Sequence, residues 1–149
     1  MFGSSVKIET TDTQLIVVDA SVAVKWIADE ANAGDALALL ARSDLIAPEL
    51  LAVEVGSALR RKLQQGEIET AQLTEGLKLV FDRVDLRRHT AQMIEEALAI
   101  SMAMAHPIYD CVYLALAKTV GAAFVTRDDE LAKRMRRAGY GHLLFGSSP

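Results

Sequence analysis

The chain has 149 residues, 51% of them hydrophobic, with 20 acidic and 16 basic side chains and a formal net charge of -4. That composition fits one globular domain burying roughly two-thirds of its unfolded surface. It excludes a generic basic nucleic-acid binder, but not a nuclease whose clustered acids lower the net charge. A single cysteine, Cys111, excludes an internal disulfide, and no apolar run reaches the ~20 residues of a membrane span. The segment Met1 to Lys7 lacks the apolar stretch of a secretory signal. The expected setting is a reducing cytoplasm, with no membrane involved.

Residues 1–13 are polar and rich in Ser and Thr, and read as a flexible N-terminal leader before one domain over 14–146. Leu15 to Val18 is a continuous β-branched apolar run, the pattern of a strand buried on both faces. Ser21 to Ile27 forms a short helix and Ala31 to Ala41 a second. Asp44 to Ala47 is a short strand, after which Pro48 introduces a long helix to about Gln65, ended by Gly66. Thr70 caps a helix to about Phe81, Arg83 to Leu86 is a third strand, and Thr90 caps a helix to about Met104. Pro107 opens a helix that ends near Gly121. Ala122 to Thr126 is a strand, Asp128 to Ala138 a helix, and Leu143 to Phe145 a final short strand. Strands alternating with helices imply an α/β fold, a central mostly parallel sheet flanked by helices in three layers.

Four acids stand where a folding chain resists placing them. Asp19 closes Leu15-Ile16-Val17-Val18, Glu54 interrupts Leu50 to Val55, Asp110 opens the apolar run Tyr109 to Ala117, and Asp128 follows Ala123 to Thr126. Carboxylates are rarely buried without a partner, and no Lys or Arg adjoins Asp19, Glu54 or Asp110 in the sequence. In an open parallel sheet, ligands bind outside the carboxyl ends of the strands. Asp19 and Asp128 both follow strands directly, Asp110 lies in a helix's first turn, and Glu54 falls on the buried arc between Leu50 and Ala58. All four can therefore meet at one edge. Each acid alone has a structural role open to it. Asp19 can cap the next helix, Asp110 can complement a helix dipole, Asp128 and Asp129 can be N-terminal helix acids, and Glu54 can pair with Arg61. All four together suit an oxygen-ligated Mg2+ or Mn2+, which can activate water and offset charge developing on a phosphodiester. His89, His106 and His142 lack zinc-ligand spacing, and no G-x-S-x-G, Walker A or G-x-G-x-x-G occurs.

The stretches Val17 to Ser21, Ala47 to Val55, Ile108 to Ala117 and Val125 to Asp128 resemble, in order, those of a PIN domain, specifically the VapC-type toxin of a toxin-antitoxin pair. The resemblance implies a metal-dependent endoribonuclease with Asp19, Glu54, Asp110 and Asp128 as its acidic site. Ser21 and Thr126 match hydroxyl positions that support such a site. It also implies a homodimer, a small antitoxin that reaches into or beside the site, and an RNA substrate, often tRNA or ribosomal RNA. Two departures stand out. Ser57 replaces an Asn common three residues after the glutamate, and the doublet Asp128-Asp129 offers two acids where spacing from Thr126 favours Asp128.

Substrate contacts are less legible. Arg60-Arg61-Lys62 and Lys133-Arg134 with Arg136-Arg137 read first as solvated helix ends and second as phosphate contacts. Aromatics make up only 5% of the chain, so no base-stacking platform is expected; Trp26 and Tyr109 read as core or dimer-interface residues. His106 reads as a helix-capping loop residue before a proton-transfer group. Two rival readings are a Mg2+-binding receiver domain, which lacks its Lys after a fifth strand, and a catalytically silent PIN-like binding module.

Overall fold

The structure, a computed structural model, describes residues 14–28, 34–42 and 44–146; the N-terminal leader lies outside them, as does the start of the helix expected from Ala31. In chain order the elements are β1 Ile16–Val18, α1 Ala20–Ile27, α2 Gly34–Leu39, β2 Leu45–Pro48, α3 Leu50–Gln64 and α4 Thr70–Arg83. They continue with β3 Asp85–Arg87, α5 Ala91–Met104, α6 Ile108–Val120, β4 Ala123–Val125, α7 Asp129–Arg137 and a 3-10 turn Gly141–Leu143.

The strands form one parallel sheet in the order β3-β2-β1-β4. From β1 the chain winds outward through β2 to β3, then returns to place β4 on the other side of β1. The strand order therefore reverses between β1 and β4, where an open α/β sheet leaves a crevice at its carboxyl edge. Register pairs Val18 with Val125, so the residues that follow them, Asp19 and Thr126, emerge side by side. β1 is buried along its whole length, as its uninterrupted apolar run requires.

Helix α6 packs across β1, β2 and β4 while α5 packs on α6. Its middle is covered on all sides, which explains why Cys111 through Ala117 are all apolar or aromatic and all buried. A second group joins α1 to α2, α3 and α4. α4 comes close to α1 at Gly76, where a Cβ would lie 2.6 Å from the Ile27 side chain. Only a residue without a side chain lets α4 seat against α1 there. Among the described residues no single helix is long and apolar enough to cross a membrane.

Several local expectations need correction. Pro48 closes β2 rather than opening a helix; its missing N–H is harmless at a strand end, and Glu49 N–H donates to Arg87 O at 2.8 Å in its place. Thr70 is the first residue of α4, not its cap. Glu69 is the cap, and its N–H donates to the Gln72 side chain at 2.8 Å. The third strand begins at Asp85, because α4 runs on to Arg83. Leu143 to Phe145 is no strand: Leu144 makes one parallel bridge to Phe124, following the 3-10 turn. Thr90 does cap α5, accepting from Met93 N at 3.1 Å.

Candidate active site

Asp19 sits one residue beyond β1 and caps α1. Its Oδ1 accepts from Val22 N at 3.2 Å and from Ser21 Oγ at 2.5 Å. Ser21 Oγ in turn accepts from Arg127 N at 2.8 Å and lies 3.4 Å from Thr126 Oγ1. Thr126 Oγ1 accepts from Asp128 N at 3.0 Å. One hydroxyl pair thus ties the end of β1 to the end of β4. The capping role expected for Asp19 is real, yet a cap normally sits in water, whereas Asp19 is 6% exposed. Burial raises its carboxyl to about 6, against the lowering effect of the Ser21, Thr126 and Val22 hydrogen bonds; the Asp110 charge adds to the rise.

Glu54 comes to the same edge from α3, beside the buried stripe Leu51, Val55 and Leu59. Its partner is not Arg61 but Tyr113, whose hydroxyl donates to Oε1 at 2.5 Å. Burial raises the Glu54 carboxyl above its ordinary value, the Tyr113 hydrogen bond opposes this, and the Asp110 charge reinforces it. Burial and the neighbouring Glu54 push the Tyr113 phenol far above its usual range, so it stays protonated as a donor. Asp110, on the first turn of α6, lies 2.6 Å through Oδ2 from His106 Nε2. His106 is therefore more than a loop residue near a helix end: it touches an acid of the site. It is presented by Ala105, which holds a left-handed backbone at φ 51 and whose carbonyl accepts from Arg134.

Asp19, Glu54 and Asp110 thus share one electrostatic neighbourhood. Asp128 is placed differently. Its exposed carboxylate caps α7, accepting from Leu131 N at 3.1 Å, and Asp129 lies exposed in the first turn. Among the described residues, no three His, Cys, Asp or Glu side chains stand close enough to hold a metal ion. Each of the three acids is bonded to its own partner instead: Asp19 to Ser21, Glu54 to Tyr113 and Asp110 to His106. Among the described residues no Lys or Arg is ion-paired with Asp19, Glu54 or Asp110. An all-oxygen, acidic, partly desolvated donor set of this kind fits a hard divalent cation in its chemistry. Cys111 is buried, and burial together with Asp110 pushes its thiol up to about 11, which leaves it inert.

Other expectations resolve residue by residue. Trp26 is buried, its indole N–H donating to Ala36 O at 2.6 Å, but Tyr109 is 62% exposed and not a core residue. Ser57 does not reach the acids; its Oγ accepts from Arg61 at 3.2 Å. Lys133 bonds Glu130 and Lys62 bonds Glu67, as solvated faces do. Sequence reasoning missed Tyr113. The available signal was a tyrosine inside an apolar helix, since a buried hydroxyl needs a partner. Tyr113→Phe is expected to destabilise the protein by roughly 1 kcal/mol at pH 8, a figure reduced for the half-exposed Glu54. The lost bond favours ionised Glu54, so the loss should shrink as Glu54 takes up a proton at acidic pH. Urea denaturation at both pH values checks this, and a loss that does not change with pH would contradict it.

Fold and site together define a class: a parallel α/β protein with an acidic crevice at the switch point of its sheet. The chain belongs to the PIN domain family, whose profile matches residues 16–137. It is 34% identical to Ribonuclease VapC1 of Mycobacterium tuberculosis over 120 residues, 78% of this chain and 87% of that one. It is 28% identical to Ribonuclease VapC3 of Pyrobaculum aerophilum over 123 residues, 80% of this chain and 93% of that one. The fold superposes on the crystal structure of PAE2754 from Pyrobaculum aerophilum with a TM-score of 0.64, at 22% identity over 82% of this chain and 85% of the other. A toxin-antitoxin complex from Klebsiella pneumoniae gives 0.63 at 13% identity, over 80% and 89%. The chain is a VapC-type PIN domain protein, and the receiver-domain reading falls.

Proposed function

We propose that the chain is an endoribonuclease, the toxin of a type II toxin-antitoxin pair, hydrolysing RNA phosphodiester bonds with Mg2+ or Mn2+. The observation that carries this reading is the buried, unneutralised Asp19 coupled to Asp110 at the sheet's switch point. Support comes from relatives named ribonucleases over most of their length. Asp19, Glu54 and Asp110 would hold the cation, with Asp128 at the rim. A bound cation supplies the positive charge that offsets charge developing on the phosphodiester. Ser21 and Thr126 fix the Asp19 carboxylate, Tyr113 holds Glu54, and His106 holds Asp110. A silent binding module would have no use for the destabilising burial of Asp19.

A cognate antitoxin is the proposed protein partner, supported by the likeness of VapC relatives, and tRNA or ribosomal RNA the proposed substrate. A homodimer completes the reading. Ile94, Leu98 and Met102, all exposed, recur every fourth residue along one face of α5 and offer an apolar surface for it. The test is to incubate purified protein with cellular RNA and map new 5′ ends, with chelator and Asp110→Asn as controls. Discrete cuts that need the divalent cation and Asp110 are expected. Cleavage that survives both controls, or no cleavage of any RNA, would overturn the reading.

A further inference from the structure

The acids occupy only one end of the crevice. From Ser21 and Glu54 a groove of about 430 Å³ runs between α1 and α3, over Val24 and Ala58, to Lys25 and Arg61. Lys25 follows Ser21 by one helical turn and Arg61 follows Glu54 by two, so the cations lie about 6 and 10 Å along the helix axes from the acidic end. Arg61 donates from Nη1 to Ser57 Oγ at 3.2 Å, one turn back toward Glu54. The guanidinium thus lines the groove while remaining exposed to solvent. The result is a dipolar channel, acidic where a cation would sit and basic beyond it, in a chain whose net charge is -4.

A phosphodiester backbone matches that polarity. A guanidinium offers a planar fork to phosphate and an ammonium a compact point charge, while the apolar floor suits a ribose. The groove's volume of about 430 Å³ is that of a site for a group of one or two nucleotides, which suits a single strand. Resting on the ribonuclease reading, we propose that Arg61 and Lys25 form a subsite for the phosphate adjoining the one cleaved, on a single-stranded segment of RNA. Ser57 is then a positioning residue for Arg61.

The test is fluorescence anisotropy of a short, end-labelled single-stranded oligoribonucleotide in chelator over a range of salt concentrations, using the full chain. Arg61→Ala and Lys25→Ala should each bind about tenfold more weakly, and each should flatten the salt dependence by about 0.7 in logarithmic slope. Arg61→Lys should keep the slope. Arg60→Ala, on the same helix but outside the groove, should bind as wild type. Arg61 and Lys25 variants that match Arg60→Ala would overturn the subsite, as would wild-type protein that binds without salt dependence. Adding Mn2+ to the same samples separates the two readings. Cleavage by wild type, with unimpaired binding by the variants, sinks the subsite alone. Groove-dependent binding without any cleavage sinks the ribonuclease alone.

Discussion

Asp19→Asn is expected to make the metal-free protein more stable at pH 8 while removing its RNA cleavage. Burial lifts the folded-state carboxyl of Asp19 from an ordinary 3.8 to about 6. Below both values the folded and unfolded chains are protonated alike, and burial of Asp19 costs nothing extra. Between them the unfolded chain ionises first, so stability falls as pH rises and stays lowered above about 6. That rise corresponds to roughly 3 kcal/mol. An asparagine keeps the Oδ1 that accepts from Ser21 and Val22 and carries no charge to desolvate. The variant should therefore gain up to roughly 3 kcal/mol over wild type at pH 8 and almost nothing at pH 4, measured by urea denaturation in chelator. Cleavage should drop by at least about a hundredfold, since groups that only orient metal ligands are worth 10 to 100. A wild type more stable than the variant at pH 8 would refute the assignment of Asp19 as a costly buried charge. Stability given up at one position for the sake of chemistry is what an active site looks like energetically.

That cost is also why the site could be read before the fold was seen. Asp19 and Asp110 adjoin long apolar runs, and such runs are legible because burial on both faces leaves no polar alternation. The parallel sheet, the order of its elements and the meeting of Asp19, Glu54 and Asp110 followed from the same pattern. What failed to show was local and polar. Pro48 suits a helix start and a strand end equally well, and only the neighbouring Arg87 decides between them. Glu69 rather than Thr70 caps α4 because Gln72 reaches back to its N–H, a choice made by side-chain geometry and not residue type. Tyr113 looked like core because its ring is core; its hydroxyl matters only once α3 is laid against it. His106 and Arg61 depend likewise on a partner one turn away, so their spacing was visible but their direction was not. Asp128 shared its claim with Asp129 in the sequence, and it caps α7 in the open.

The largest response to solution conditions should come from the cation itself. Burial, reinforced by the Asp110 charge, raises the carboxyls of both Asp19 and Glu54, which means that ionising these two acids in the folded protein works against folding. A divalent cation relieves that repulsion and binds the folded chain alone, because the unfolded chain scatters its ligands. Free cation at a hundred times its dissociation constant stabilises by about 2.7 kcal/mol. For a chain of this size that raises the melting temperature by roughly 5 to 11 °C. Protons compete for the same oxygens, so the shift should be large at pH 8 and fade below about 6, where Asp19 takes up a proton. Asp110→Asn removes one ligand and part of the repulsion together, and its melting temperature should barely respond to millimolar Mn2+. Matching the ionic strength with a monovalent salt separates site binding from general screening. An equal rise in wild type and variant would show that the ion acts elsewhere on the surface. No rise in wild type at pH 8 would mean that the three carboxylates share a neighbourhood without sharing a metal.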